Sequence, residues 1–193
     1  MTEKPDITAL VTARMCHDFA SPIGAVGNSV ELVELAGKTL GQEGELVKAS
    51  VNAAAANLKL FRIAYGQFHP GEILHAAEIL AVQTAWNITG RIQVDFALQE
   101  ISKTDMKIYL LILQSILVAM PQGAKVVVKI TEGGKIVHAV GAEFTYDETL
   151  WSALMSKDIA HNIQPNNVQF VILQALDVPL HLHHSATEMT VSF

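Results

Sequence analysis

The sequence predicts an α+β protein in two parts. An N-terminal helical hairpin pairs with a second copy into a dimeric four-helix bundle, and a mixed sheet covered by helices on one face follows it. Three observations carry this reading. Apolar residues recur at helical spacing from about residue 7 to 36 and again from about 45 to 65. The triplet His69-Pro70-Gly71 then breaks the helical pattern. Beyond it, strand-like alternation is interleaved with helical stretches, which points to a layered α/β unit. The boundary divides the chain into residues 1–68 and 69–193.

Residues 1–5 read as a short polar tail, and Asp6 is placed to cap the first helix by accepting from the amides of its first turn. At roughly 100° per residue, Val11, Met15, Phe19, Val26, Val30 and Val33 fall on one side of that helix. Arg14, His17, Ser21, Gly24, Asn28 and Glu31 fall on the other, so the His17 ring is expected to point away from the core contact. Pro22 removes a backbone donor and is expected to kink the helix just after His17. Gly37, Gly41 and Gly44 punctuate the connection to the second helix. There Val47, Val51, Ala54, Leu58, Phe61 and Tyr65 recur at spacings of four and three, a seam of heptad type. Residues 53–56 are all alanine and let helices approach closely. One hairpin cannot cover both broad apolar faces, which predicts a homodimer through residues 6–66. The alternative is that the hairpin buries its face on the rest of its own chain.

In the second part, residues 72–86 read as a helix and 91–98 as a strand. Thr104 or Asp105 starts a very apolar helix that Pro121-Gln122-Gly123 ends. Residues 124–131 and 135–143 alternate around Glu132-Gly133-Gly134, a hairpin signal. Residues 147–155 and 167–176 look helical, and 180–184 with 188–193 close the chain as another hairpin.

Composition narrows the partners. Half of the 193 residues are hydrophobic, long enough a chain for a substantial core. The net charge of −6 and the absence of any Lys/Arg run argue against nucleic acid. One cysteine, Cys16, excludes an intramolecular disulfide, and its place beside the hairpin core reads as a small buried hydrophobe. The longest apolar runs, 109–113 and 116–120, are too short to span a bilayer, and no signal pattern opens the chain. A cytoplasmic protein without a membrane segment is expected.

The chemistry concentrates in Arg14-Met15-Cys16-His17-Asp18-Phe19-Ala20-Ser21-Pro22-Ile23-Gly24-Ala25. A lone exposed histidine means little, but one followed at once by a carboxylate and one turn later by Ser-Pro is an imidazole kept available. The pattern resembles the phospho-accepting box of histidine-kinase dimerisation domains, His-(Asp/Glu)-x-x-(Ser/Thr)-Pro. Cys-His-Asp-Phe-Ala-Ser-Pro-Ile-Gly-Ala is similar to the ChpT-like bacterial histidine phosphotransferases. The wording is close in the first third of the chain, and the architecture resembles that family over the rest.

That resemblance implies a relay, in which His17 accepts a phosphoryl group from the receiver domain of a hybrid histidine kinase and passes it to a response-regulator receiver. Transfer to histidine needs a neutral ring nitrogen and room for in-line approach. Ser21, one turn on, is placed to donate to a phosphoryl oxygen, and Arg14, one turn before, to neutralise its charge. Three roles stay open for Asp18: accepting from the other ring nitrogen, ordering Arg14, or acting on the incoming receiver. Adjacent helical residues point roughly 100° apart, which weakens the first. No cofactor is implied, and any magnesium comes with the receiver's acidic pocket.

The element order of the second part is also that of the ATP-binding domain of histidine kinases. Ser115 and Leu111 stand where that family has its two box asparagines, and Val140-Gly141-Ala142-Glu143-Phe144 where it has its adenine-binding Asp-x-Gly-x-Gly. The resemblance therefore implies a kinase-like domain that lacks the nucleotide site and has no autokinase activity. The rivals are an active histidine kinase and a catalytically silent dimeric adaptor for receiver domains. The remaining motifs are weak. Gly37-Lys38-Thr39 lacks the glycine a P-loop needs at position 32, and Asn87-Ile88-Thr89 means nothing as a glycosylation acceptor in a cytosolic chain. His181, His183 and His184 offer two metal ligands at best.

Overall fold

A computed structural model of the chain describes residues 7–36, 41–66, 68–69, 71–145, 147–156 and 163–193, without the side chains of residues 7–10, 12, 13, 16, 17, 20, 27, 30, 31, 34 and 89. Helices α1 (Ile7–Ala36) and α2 (Gln42–Ala64) form the hairpin, and α1 continues through Pro22. Asp6 and Gly37-Lys38-Thr39 lie outside the described residues. Gly44 sits inside α2, not in the connection. The Phe19 and Phe61 rings meet edge to face at 5.3 Å and pin the two helices together.

The heptad seam of α2 divides. Phe61 is buried, whereas Val51 and Leu58 are 50% and 47% exposed. A different stripe, Ala56, Leu60 and Ala64 at spacings of four, is buried in the core shared with the rest of the chain. So the hairpin does bury one face on its own chain and still leaves a second apolar face open. That open face is a groove lined by Phe19, Ile23, Val26, Val51, Ala54 and Leu58.

The second part runs β1 (Ile73–His75), α3 (Ala76–Thr89), β2 (Ile92–Ala97), β3 (Glu100–Ser102), α4 (Lys103–Ala119), β4 (Ala124–Thr131) and β5 (Gly134–Gly141). Helix α5 (Glu148–Ser156), a 3-10 turn (Pro165–Asn167), α6 (Val168–Ala175), β6 (His181–His184) and β7 (Glu188–Ser192) complete it. The main sheet has the order β2-β4-β5-β7-β6, with β2 and β4 parallel and every other pair antiparallel. It is the mixed sheet the alternation predicts. Val126, Val128, Val137, Ala139, Met189 and Val191 alternate onto its buried face. Helix α4 is buried almost all round and lies between α2 and α6.

Among the boundaries that differ from the sequence reading, two helix starts shape the second part. Residues 73–75 do not begin a helix. They pair with β3 in a small antiparallel ribbon, Ile73 opposite Ser102 and His75 opposite Glu100. Helix α3 then starts at Ala76, where the His75 amide donates to Glu78 Oε2 at 3.1 Å in a capping box. Helix α4 starts at Lys103, earlier than expected, because the Ser102 hydroxyl caps it by accepting from the Asp105 amide at 3.0 Å.

Among the described residues no strand lies beside the outer margin of β2, and α3 supplies the missing partners. The Val94 amide donates to Asn87 Oδ1 at 2.8 Å, Asn87 Nδ2 donates to the Val94 carbonyl at 3.1 Å, and the Phe96 amide donates to Gln83 Oε1 at 2.8 Å. Asn87, one turn after Gln83, thus takes a structural role. Asn87→Ala is expected to cost about 1–2 kcal/mol, since it strands one backbone donor and one acceptor of a half-buried strand. A urea titration read by circular dichroism checks this, and an unchanged midpoint would contradict it.

Candidate functional site

All four predicted site residues belong to α1. Helical spacing brings positions 14, 18 and 21 to one face, and Arg14, Asp18 and Ser21 line one wall of a cavity of about 540 Å³. The facing wall comes from elsewhere: Asn57 and Leu60 of α2, Trp86 of α3, Arg91 just after it, Gln114 of α4, and Asn166 of the 3-10 turn. The cavity is therefore built where the hairpin meets the sheet unit. His17 lies in α1 one turn after Arg14, directly before Asp18 and one turn before Ser21, and its side chain, like that of Cys16, is outside the described residues.

Arg14 Nε lies 2.7 Å from Asp18 Oδ2, an i,i+4 pair whose side chains are only 16% and 19% exposed. Arg14 Nη1 also donates to the Asn166 carbonyl at 3.3 Å. Among the described residues Asp18 holds Arg14, one of the three roles left open for it. The arginine in turn ties α1 to the 3-10 turn. Ser21 is exposed at the cavity rim.

Three cavity residues escape the sequence reading. Asn57 interrupts the run that begins with four alanines, Arg91 follows a helix-ending glycine, and Gln114 is a buried polar residue within the long apolar stretch of α4. Polar residues inside apolar runs are the signal that marks Asn57 and Gln114; nothing local marks Arg91.

Gln114 is held from behind, its Oε1 accepting from the Tyr65 hydroxyl at 2.6 Å. Burial pushes the Tyr65 hydroxyl up to about 12 against the partial relief of the Arg14 charge and this hydrogen bond. Burial, with Asp105 nearby, also pushes Tyr109 upward. An unfolded tyrosine ionises near 10, so above that pH the unfolded chain has lost a proton that the folded chain keeps. Stability is then full below about pH 10 and falls by about 1.4 kcal/mol per pH unit for each such tyrosine as pH rises toward the folded value. Tyr65→Phe is expected to cost about 1 kcal/mol at neutral pH and to make the alkaline decline shallower by one tyrosine's share. Urea midpoints measured across pH 9–12 test it, and an unchanged alkaline slope would refute it.

The positions that resemble the kinase asparagine box are packed interior. Ser115 and Leu111 are fully buried, and the Ser115 hydroxyl donates to the Leu111 carbonyl at 3.0 Å. His181, His183 and His184 are exposed on β6. Among the described residues no group of three or more His, Cys, Asp or Glu is placed to hold a metal ion. No helix among them is long and apolar enough to cross a membrane.

Comparison with known proteins agrees with this layout. The family model described as the histidine phosphotransferase C-terminal domain matches residues 76–182, more than half of the chain. Over 61 residues the chain is 43% identical to the protein phosphotransferase ChpT of Brucella abortus, a stretch covering 32% of this chain and 29% of that protein. The match thus spans less than a third of that relative's length. A bacterial phosphotransferase solved at 1.7 Å superposes with a TM-score of 0.74 at 24% identity, over 100% of this chain and 98% of that one, a likeness of fold. The Acinetobacter baumannii histidine kinase AdeS gives a TM-score of 0.43 at 10% identity over 92% of this chain and 96% of that one, too slight to carry an argument.

Proposed function

Because this chain belongs to the histidine phosphotransferase family, we propose that it is a cytoplasmic phosphoryl carrier of a bacterial two-component phosphorelay, with His17 as the acceptor. The observation that carries the reading is the grouping of Arg14, Asp18 and Ser21 on one wall of a cavity, on the helix that bears His17. The family model itself begins after that helix, at residue 76, so the acceptor is assigned on the motif and this grouping.

The transfer is a displacement at phosphorus. The lone pair of a neutral His17 ring nitrogen attacks in line, the N–P bond forms as the acyl O–P bond breaks, and the donor aspartate leaves as a carboxylate. The reverse step hands the group to the second receiver. Asp18 holds the Arg14 guanidinium beside the acceptor, Arg14 offsets the phosphoryl charge, and Ser21 donates to a phosphoryl oxygen. Both partners are receiver domains, of a hybrid histidine kinase and of a response regulator. Magnesium belongs to their acidic pockets, and the carrier itself needs no cofactor. The chain acts as a homodimer paired through the open groove of its hairpin. In this reading residues 1–68 carry dimerisation and phosphotransfer, and residues 69–193 form a kinase-like unit that no longer serves ATP.

Incubation with a phosphorylated receiver domain tests the assignment. The wild-type chain should acquire an acid-labile, base-stable phosphoryl group that a second receiver removes. ATP with magnesium, offered in place of the phosphorylated receiver, should label nothing. Labelling by ATP would favour the autokinase, and no labelling from any receiver would favour the silent adaptor.

A further inference from the structure

We propose that the cavity between the hairpin and the sheet unit is a binding site for a small organic anion with an apolar body, and that Arg91 is its principal charged contact. The proposal stands on the cavity alone and does not depend on the phosphotransfer reading.

The charges decide the sign of the ligand. Two arginines and one carboxylate line the cavity among the described residues. Asp18 is paired with Arg14 at 2.7 Å, with both side chains largely buried, so that pair is internally balanced. Arg91 has no carboxylate within ion-pair distance among the described residues; its Nη1 donates to the Pro121 carbonyl at 2.9 Å. The lining therefore carries a surplus positive charge in a chain whose net charge is −6. The neutral groups add donors. Gln114 Oε1 is occupied by the Tyr65 hydroxyl at 2.6 Å, which leaves the amide nitrogen as that side chain's donor, and the Asn57 amide and Ser21 hydroxyl share the same lining. A surplus guanidinium among hydrogen-bond donors recognises an anion.

The remaining walls decide its size. Leu60, Trp86 and Leu117 are apolar, and a volume of about 540 Å³ lies within the range of small-molecule sites. An ion the size of phosphate leaves those walls in contact with water only. An anionic group on a ring or short aliphatic body satisfies both halves of the lining.

Calorimetric titration of the full chain in mildly alkaline buffer tests this with three probes: phenylphosphonate, inorganic phosphate and benzyl alcohol. Phenylphosphonate should bind saturably at one site and raise Tm, with phosphate and benzyl alcohol each weaker by about tenfold or more. Arg91→Gln, an exposed substitution, should weaken phenylphosphonate by about tenfold or more. Asn57→Asp, which cancels the surplus charge, should do the same, while Lys129→Gln on the outer sheet face should change nothing. The melting curve of each variant establishes that it is folded. Absence of phenylphosphonate binding overturns the proposal. So does equal affinity for phosphate, or wild-type affinity in both Arg91→Gln and Asn57→Asp.

Discussion

His17→Gln is expected to accept no phosphoryl group from a phosphorylated receiver domain while folding and assembling like the wild-type chain. Glutamine keeps a polar side chain of good helix propensity at this position, so α1 is not weakened. Its amide nitrogen has no available lone pair, so the nucleophile is gone and nothing adjacent replaces it. His17 is the one histidine of α1, and the other seven in the sequence lie at or beyond residue 69. Loss should therefore be complete, not partial. Transfer of radiolabel from a phosphorylated receiver, alongside a thermal melt, measures both halves. Undiminished labelling of a folded Gln variant would place the acceptor elsewhere.

Leu58→Asp is expected to convert the proposed dimer into a folded monomer. Leu58 lines the open groove of the hairpin together with Ile23 and Val51, and these three are 47%, 62% and 50% exposed within one chain. A contiguous apolar face of this kind is normally covered by a partner, and a self-complementary two-fold contact is the commonest arrangement. A carboxylate buried there without a partner costs about 3–5 kcal/mol, which weakens association by more than a hundredfold. The monomer should survive, because Leu58 is not on the Ala56-Leu60-Ala64 stripe that enters the core. Light scattering with circular dichroism separates the outcomes. A wild-type chain that is already monomeric at micromolar concentration would remove the dimer from the proposal.

Much of this layout is legible before any coordinates. The two hairpin helices, α4 and the β4–β5 and β6–β7 pairs follow from apolar period and turn residues, which are local signals. The β1–β3 ribbon does not, because each strand has three residues and its partner lies some 27 positions away by register, Ile73 to Ser102 differing by 29 and His75 to Glu100 by 25. Nor does the division of the α2 seam. Periodicity identifies apolar positions but not which partner covers them, and Phe61 and Leu58 go to different surroundings. The site is legible by halves. Arg14, Asp18 and Ser21 come from a motif within one helix, while Arg91 and Asn166 join them only through packing. Asn87 is read as part of a glycosylation pattern and turns out to hold a strand margin, since a side chain's hydrogen-bond partners have no local signature.

The two-sided burden on α2 has a mechanical consequence. One of its faces is locked into the core through Ala56, Leu60 and Ala64, and the opposite seam offers Val51 and Leu58 to the groove. A turn of α2 about its own axis would pull Leu60 out of the interior at a cost of about 1.5–3 kcal/mol for that side chain alone. It would also drag the Tyr65 hydroxyl away from Gln114. Rotation of α2 against the sheet unit is thus opposed by both its packing and its hydrogen bonding. In the proposed relay, traffic through His17 would then be metered by how often receivers arrive and leave, not by an internal clutch.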